Sequence, residues 1–143
     1  MPKKIDLSKI LGVNKPSSTQ VLTLYIPDKD REGNKIKNLN KWIKEAQRVL
    51  TIIGGGSTMM PPADGTWLDP EKNIIYPDKI KDKDLVWEKT RIIYTYIDPD
   101  KFENNLNRLK KFLHSFGRET NQGEVVFEFD GMLYRIDEYD RHK

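Results

Sequence analysis

The chain lacks cysteine entirely and has only two histidines, and these shortages exclude several kinds of site. Without thiols there is no disulfide, no zinc–thiolate centre and no cysteine nucleophile, so folding is compatible with a reducing compartment. His114 has no second histidine at metal-ligand spacing, and no Gly-x-Ser-x-Gly nucleophile motif occurs. The sequence therefore predicts neither a metal nor a cofactor, and it leaves any catalytic residues unassigned.

Long apolar runs and a charge of one sign are also missing. No segment reaches the roughly 20 apolar residues that a membrane helix needs. The start of the chain, Met1-Pro2-Lys3-Lys4, does not lead into an apolar signal region. With 25 basic and 22 acidic residues, the net charge is only +3, unlike that of an obligate duplex-DNA binder. We therefore expect a cytoplasmic protein with no membrane partner, for which nucleic acid is not the favoured ligand.

The length of 143 residues favours a single domain. We expect a flexible N-terminal arm over residues 1–18, one α+β domain over residues 19–136 and a polar tail over residues 137–143. Apolar residues in the arm could form one helical turn that docks on the domain or on a neighbouring subunit: Ile5, Leu7, Ile10 and Leu11.

Two segments have the apolar spacing of amphipathic helices. The first follows Asn38, whose side chain is expected to cap it, and ends at Gly54, which is expected to adopt the left-handed conformation. The second begins at Asp98-Pro99 and is expected to run as one helix to Gly117. Both helices carry their apolar residues on a single stripe.

Strands are indicated by period-two alternation and by runs of β-forming residues at 19–26, 66–68, 74–76, 86–97, 125–129 and 132–136. Asp130-Gly131 predicts a tight hairpin between the last two. The resulting order is a ferredoxin-like βαββαβ fold with an appended C-terminal hairpin strand. In this fold the loops after the two helices lie at opposite ends of the sheet, so a site that uses both must form between subunits.

The first candidate site is the glycine run after the first helix, comprising Gly55, Gly56, Ser57 and Thr58. A phosphate-binding loop of the P-loop type places its glycines before a helix, where free N–H groups face the anion, and here they come after one. The remaining functional interpretation is a nest of backbone N–H groups that binds an anion. The alternative is a plain helix end followed by a turn.

The second candidate site is richer in hydrogen-bonding groups. It follows the second helix and comprises Arg118, Thr120, Asn121, Gln122 and Glu124, with Glu88 and Lys89 as expected neighbours. Amides, a hydroxyl and a guanidinium in one short stretch could bind a nucleobase or a ribose. The alternative is that these amides satisfy their own turn and the neighbouring backbone. The polar loop 27–37 and the charged segment 70–85 are expected at the same end of the sheet.

The sheet face away from the helices is expected to carry Tyr25, Tyr94 and Tyr96. Such an aromatic face indicates either burial by a second subunit or stacking of RNA bases. Residues 89–96 lack the glycine and phenylalanine pattern of the RNA-recognition signature. Subunit burial is the favoured interpretation.

Four short stretches carry a resemblance to known proteins: residues 55–58, 65–67, 88–90 and 117–124. Across residues 20–136 the chain resembles small, uncharacterised bacterial or phage proteins of the ferredoxin-like type. The resemblance implies that fold and brings no assigned activity. Phage-encoded oligomers that sequester nucleotide immune signals are similar in size and architecture.

These observations favour a non-catalytic, oligomeric binding protein for a small polar ligand, with a nucleotide as the ligand class that fits best. The first alternative is a nucleotide- or RNA-cleaving enzyme in which Glu88, Glu124 or His114 acts as acid or base. The second alternative is a protein that binds single-stranded RNA on the open sheet face.

Overall fold

The computed structural model describes residues 4–13, 18–68 and 79–140. The predicted strand at 74–76 lies outside these ranges. The helices are α1 (Leu7–Leu11), α2 (Leu39–Gly54), α3 (Pro99–Asn104) and α4 (Leu106–Glu119). The strands are β1 (Val21–Pro27), β2 (Thr58–Met59), β3 (Ala63–Leu68), β4 (Leu85–Tyr96), β5 (Val125–Phe129) and β6 (Met132–Ile136), and a 3-10 turn precedes β4 at Asp82–Asp84.

All the strand pairs are antiparallel, and β4 is the element that joins them. One edge of β4 pairs with β1, which pairs in turn with β5, and β6 forms the outer strand. The other edge of β4 pairs with β2 and then with β3. The predicted ferredoxin-like α+β fold with an appended strand is therefore confirmed.

The core lies between the sheet and the two long helices. Alternate residues of β1 point into it, because Leu22, Leu24 and Ile26 are at most 1% exposed. Trp42 of α2 packs edge-on against Phe116 of α4, with 5.5 Å between the ring centroids. An apolar stripe on each helix and a period-two strand thus bury one another, as their spacing predicts.

The other face of the sheet carries no helix within the described residues. Cross-strand pairing aligns Val21 with Tyr96, Thr23 with Tyr94 and Tyr25 with Ile92, so the predicted tyrosines share this face. Tyr96 is 56% exposed. Burial of Tyr25 and the adjacent Glu128 carboxylate together raise the pKa of the Tyr25 hydroxyl. The predicted aromatic open face is confirmed.

The hairpin between β5 and β6 forms as expected. Asp130 and Gly131 both have positive φ angles, 53° and 81°. Positive φ angles at both central residues are what a two-residue hairpin turn needs if it is to match the right-handed twist of the strands.

The ends of α2 differ from the sequence prediction at both termini. Asn38 is itself left-handed, with φ of 60°, and its side chain makes no capping hydrogen bond. Its carbonyl accepts from the N–H of Lys41 instead. Gly55 and not Gly54 takes the left-handed position, because Gly54 packs so closely on β4 that a Cβ there would overlap Thr95. The close contact between Gly54 and β4 therefore moves the C-terminal cap of α2 from Gly54 to Gly55.

The second predicted helix is two helices that meet at Asn105. Its side chain donates to the Lys101 carbonyl at 2.7 Å, and its N–H bonds Phe102, so local hydrogen bonds interrupt the α-helical ladder. The helix α4 then continues through Gly117 to Glu119, so the prediction that Gly117 ends the helix is wrong. The glycine is required by packing, because a Cβ at position 117 would overlap the ring of Tyr139.

Tyr139 lies in the segment that the sequence marks as a polar tail. Its ring is half-buried against the core, and its hydroxyl donates to the main-chain oxygen of Gln122 at 3.0 Å. Burial, with the nearby Glu124 carboxylate, raises the pKa of Tyr139 to about 12. Residues 137–140 are therefore attached to α4 and to the turn that follows it.

We expect the substitution Gly117→Ala to lower the free energy of unfolding by about 1–3 kcal/mol, because the added methyl group overpacks against Tyr139. Urea denaturation measures the effect. Gly56→Ala is the matched control, because a Cβ there meets no atom within 4 Å. In a Tyr139→Ala background the cost at position 117 should largely vanish, and an unchanged cost would contradict this explanation.

Candidate functional site

Two of the polar loops named above meet at one end of the sheet. Asp28 and Lys89 exchange two hydrogen bonds of 2.9 Å, which ties the loop after β1 to β4. The N–H of Arg31 donates to the main-chain oxygen of Asn121 at 3.0 Å, which ties the same loop to the turn after α4. The expected convergence of these two loops is therefore observed, and residues 70–78 of the third lie outside the described chain.

Two side chains of the turn after α4 are occupied by the protein's own backbone. Gln122 is 7% exposed, and its amide donates to the carbonyls of Lys29 and Thr120 at 3.1 and 3.3 Å. The Thr120 hydroxyl donates to the carbonyl of Phe116. Thr120 and Gln122 thus hold the turn in place, and their contact with a ligand stays a prediction.

The other predicted members of this site lie at the surface. Asn121 is exposed and left-handed, with φ of 53°. Arg118 donates to the main-chain oxygen of Asp140, and Glu124 lies 3.4 Å from the guanidinium of Arg135. The exposed ion pair of Glu124 contributes little to stability, so this carboxylate can exchange it for another partner.

The glycine run after α2 lies at the opposite end of the sheet, as expected. The carbonyl of Gly56 accepts from Thr95 near the end of β4, and Thr58 pairs with Tyr94. The Ser57 hydroxyl lies 3.0 Å from that of Thr51. One protomer therefore does not bring Gly55, Gly56, Ser57 and Thr58 together with the turn after α4.

Glu88 and Lys89 point to opposite faces of the sheet, because they are successive residues of β4. Lys89 forms an exposed ion pair with Asp64, its cross-strand partner. Glu88 faces the open side, where Trp67 donates its indole N–H to the carboxylate at 2.5 Å. The two predicted neighbours thus belong to different surfaces.

A compact polar group surrounds Glu88 on the open face. The pairing of β3 with β4 sets Gly65 opposite Glu88, and a Cβ at Gly65 would lie 2.9 Å from the Thr90 hydroxyl. The same point lies 3.2 Å from the Trp67 indole nitrogen and 3.3 Å from Cγ of Glu88. The side chains of Thr90, Trp67 and Glu88 therefore lie together over Gly65, which has no side chain of its own. We call Gly65, Trp67, Glu88 and Thr90 the Glu88 cluster.

Thr90 carries an unpaired buried hydroxyl. The residue is 5% exposed, and within the described ranges its Oγ1 has no hydrogen-bond partner. A buried polar group without a partner costs about 1–3 kcal/mol. Thr95, which is similarly buried, donates its hydroxyl to the carbonyl of Gly56, and the Tyr96 carbonyl is a second acceptor within reach at 3.2 Å. The hydroxyl of Thr90 is therefore a hydrogen-bonding group that the fold leaves unused.

The pKa of Glu88 is raised above its ordinary value, chiefly because burial penalises the charged form. The hydrogen bond from Trp67 and the nearby Lys29 act in the opposite direction, while the Asp28 carboxylate raises the pKa further. A half-buried carboxyl with a raised pKa can accept hydrogen bonds as a carboxylate or take a proton as a base.

The other catalytic candidates have less suitable surroundings. The Nδ1 atom of His114 accepts the N–H of Asp140 at 2.9 Å, so this nitrogen is used within the fold. Over residues 4–13, 18–68 and 79–140, no three histidine or acidic side chains gather where they could hold a metal ion. In the same ranges no helix has both the length and the apolar character to span a bilayer.

The sequence prediction named Glu88 and set Thr90 on the same strand face, but it missed the β3 partners Gly65 and Trp67. It began the strand at Thr66 and so left Gly65 in a loop, which hid the pairing of Gly65 with Glu88. The available signal was a glycine directly before a run of β-forming residues, because glycine in a strand marks a close approach. The unpaired state of Thr90 depends on tertiary packing and has no sequence signal.

Searches with the sequence find no matching protein-family model and no matching curated protein. Two solved structures share the fold. A phage SAM lyase in complex with S-methyl-5'-thioadenosine has a TM-score of 0.58 and 10% identity, over 88% of this chain and 95% of that one. A phage SAM lyase in the apo state has a TM-score of 0.54 and 13% identity, over 91% and 98% of the two chains. At these identities the similarity establishes the fold alone.

We expect Thr90→Val to raise the free energy of unfolding of the free protein by about 1 kcal/mol, because valine has the same shape and no unpaired hydroxyl. Thr95→Val is the matched variant and should lower it by about 1–3 kcal/mol, since the hydroxyl that it removes donates a hydrogen bond to the Gly56 carbonyl. Urea denaturation of both variants measures the difference. Equal effects of the same sign would contradict the assignment of Thr90 as unpaired.

We expect the free energy of unfolding of the wild type to decrease relative to that of Glu88→Gln as the pH rises. A carboxyl whose folded pKa is raised stabilises the fold below its unfolded pKa, about 4.5, and loses this contribution as the pH passes its folded pKa. Urea denaturation between pH 4 and 8 measures the difference between the two proteins. Glu103→Gln, at an exposed position of α3, controls for the loss of one negative charge. A difference that is constant with pH would refute the raised pKa.

Proposed function

We propose that this chain is an oligomeric binding protein for a small ligand of the nucleoside class, and that the Glu88 cluster holds the ligand. The observation that carries the proposal is the unpaired hydroxyl of Thr90 beside the desolvated carboxyl of Glu88. Both groups are unfavourable in the free protein, and both would be stabilised by a ligand that offers hydrogen-bond donors and acceptors.

The chemistry of the cluster matches a nucleoside. A ribose offers hydroxyl groups that donate to a carboxylate such as Glu88. One of them would also accept from the Thr90 hydroxyl, which is covered in the free protein and is reached when the neighbouring side chains move aside. The base offers a flat face, and the indole of Trp67, which is 40% exposed, is suited to stack on it. The absence of a side chain at Gly65 lets Thr90, Trp67 and Glu88 lie close together over the strand backbone.

The structural neighbours support the ligand class. One of them contains S-methyl-5'-thioadenosine, which is a nucleoside, on a chain of the same fold. We propose the same class of ligand for this protein, and the contacts are argued from its own residues because identity is only 10%.

The other predicted site residues have different proposed roles. Asn121 and Glu124 are exposed in the turn after α4, which is tied to the loop after β1 through the Arg31–Asn121 hydrogen bond, and they would extend the site toward the polar end of a longer ligand. Thr120 and Gln122 would act by holding that turn. Gly55 to Thr58 would take part only through a second subunit, because they lie at the far end of the sheet.

The second candidate function is catalysis on the same class of molecule. It is favoured by the raised pKa of Glu88, which would suit a general base, and by the lyase activity named for both neighbours. We propose S-adenosylmethionine as the substrate to examine first. Glu88 would then take a proton from the carbon next to the one that bears the sulfonium, a C=C bond would form, and the C–S bond would break so that S-methyl-5'-thioadenosine leaves as the neutral thioether. Trp67, which donates to the Glu88 carboxylate, would be its positioning residue.

The binding proposal predicts that wild-type protein binds adenosine, adenosine 5'-monophosphate or S-methyl-5'-thioadenosine in isothermal titration calorimetry. We expect Thr90→Val to weaken binding roughly five- to tenfold, the equivalent of about one hydrogen bond, and Glu88→Gln to weaken it at least as much. Glu103→Gln is the surface control. Absence of binding at millimolar ligand, or unchanged affinity in both cluster variants, would refute the proposal.

Incubation with S-adenosylmethionine separates the two candidates. If the protein is an enzyme of the neighbours' kind, S-methyl-5'-thioadenosine should accumulate and be detected by mass spectrometry, and Glu88→Gln should abolish its formation. Glu124→Gln tests the other carboxylate of the sequence prediction. Binding without product formation would support a binding protein and rule out this reaction.

A further inference from the structure

The N-terminal helix α1 exposes nearly all of its apolar surface. Five apolar side chains in and around it are between 47% and 73% exposed: Ile5, Leu7, Ile10, Leu11 and Val13. No residue of α1 is buried. Apolar side chains concentrated in this way on a short segment indicate a contact with another surface.

This helix is nonetheless well terminated at both ends. The Asp6 carboxylate accepts from the N–H groups of Ser8 and Lys9 at 3.1 and 3.4 Å. Gly12 is left-handed, and its N–H bonds the carbonyl of Ser8 at 3.1 Å. A helix of five residues is too short to be stable alone in water, so its capped form fits a segment that is held by packing.

A matching apolar groove lies between α4 and the β5–β6 hairpin. Its volume is about 300 Å³, and its apolar lining is Leu106, Leu109, Leu113, Phe127, Tyr134 and Ile136. The rings of Phe127 and Tyr134 stack there with 5.3 Å between centroids. Leu106 and Tyr134 are 47% and 43% exposed, so the groove is open to solvent along its length.

The rim of the groove favours an aliphatic occupant over a charged one. Each of its two cations has a carboxylate beside it, Asp140 at 3.3 Å from Lys110 and Glu124 at 3.4 Å from Arg135, so the rim carries no net positive charge. An anion entering the groove would compete with both pairs and would contact an apolar lining. An amphipathic helical turn would bury its apolar face and leave the pairs intact.

We propose that the arm of one copy docks in this groove of a second copy, with Leu7, Ile10 and Leu11 as the inserted face. These three residues lie at positions i, i+3 and i+4, on one side of the helix. The same chain thus supplies both an unpartnered helix and an unpartnered groove. In the single chain the arm leaves its apolar face exposed, so a second copy is the occupant that buries it.

This contact goes beyond the nucleoside site and supplies an interface for the oligomer. Val13 and Ser18 are at most about 18 Å apart along an extended chain, so the arm stays tethered near the start of β1. Because each copy carries one arm and one groove, reciprocal exchange closes a twofold dimer, and one-way exchange gives a ring.

Interchain disulfide formation tests the contact directly, because the natural chain has no cysteine. Two single variants of the full chain, Ile10→Cys and Leu106→Cys, carry tags of different size and are mixed under oxidising conditions. We expect a mixed disulfide between the two proteins. Ile10→Cys mixed with Lys44→Cys, at an exposed position of α2, is the control. The proposal would be overturned if the test pair formed no more mixed disulfide than the control pair.

A doubly substituted chain, Ile10→Cys with Leu106→Cys, distinguishes a second copy from the same chain. Disulfide-linked dimers or larger species would support docking between copies. A monomer that carries an internal disulfide would overturn it, because the arm would then occupy its own groove.

Light scattering provides a measurement without cysteines. We expect the wild type to exceed the monomer mass of 16.8 kDa at least twofold, and the variant with Leu7, Ile10 and Leu11 each changed to serine to return to it. These positions lie outside the core, so the variant should keep the circular dichroism spectrum of the fold. A monomeric wild type, or an unchanged mass in the variant, would overturn the proposal. The same variant is also tested for nucleoside binding. If it is monomeric and still binds the nucleoside, the docking contact and the Glu88 cluster act independently, and each proposal is judged by its own measurement.

Discussion

The pairing of β4 with its neighbours is the constraint on which the rest of the structure depends. β1 pairs with residues 90–96 of this strand, and β3 pairs with residues 85–90 on the other edge. This register sets Gly65 opposite Glu88 and directs Glu88 and Thr90 to the side without helices. A slip of one residue would turn both side chains toward the opposite face, so the core and the candidate site are fixed by the same hydrogen-bond ladder.

Stability and the proposed function are opposed at this point of the sheet. Thr95 and Thr90 are two buried threonines of one strand, yet only Thr95 has its hydroxyl bonded. The carboxyl of Glu88 is desolvated, and its main described partner is an indole that is itself partly exposed. Local penalties of this kind persist when the surrounding fold supports them, and they are common where a ligand binds. These two penalties are the reason why the proposed nucleoside site is assigned to the Glu88 cluster.

The sequence predicted those parts of the fold that depend on local pattern. Alternation along β1 and β4 and the turn at Asp130-Gly131 place their residues correctly, because period and turn geometry act over a few residues. Gly117 was misread as a helix end, because its role depends on Tyr139, 22 positions further along the chain. Alternation alone sets Thr90 on the same face as Glu88, whereas Gly65 became visible as a neighbour of Glu88 only with the strand register. Prediction therefore failed where contacts between distant segments decide the structure.

The most direct test of the central claim is a solution NMR titration with S-methyl-5'-thioadenosine that follows the indole N–H signals of the three tryptophans. Trp67→Phe assigns the signal of the Glu88 cluster, while Trp42, which packs on Phe112 and Phe116 in the core, provides an internal reference. A nucleoside bound at the cluster should shift the Trp67 signal in a saturable way and leave that of Trp42 unchanged. A Trp67 signal that does not move at saturating ligand would contradict the account.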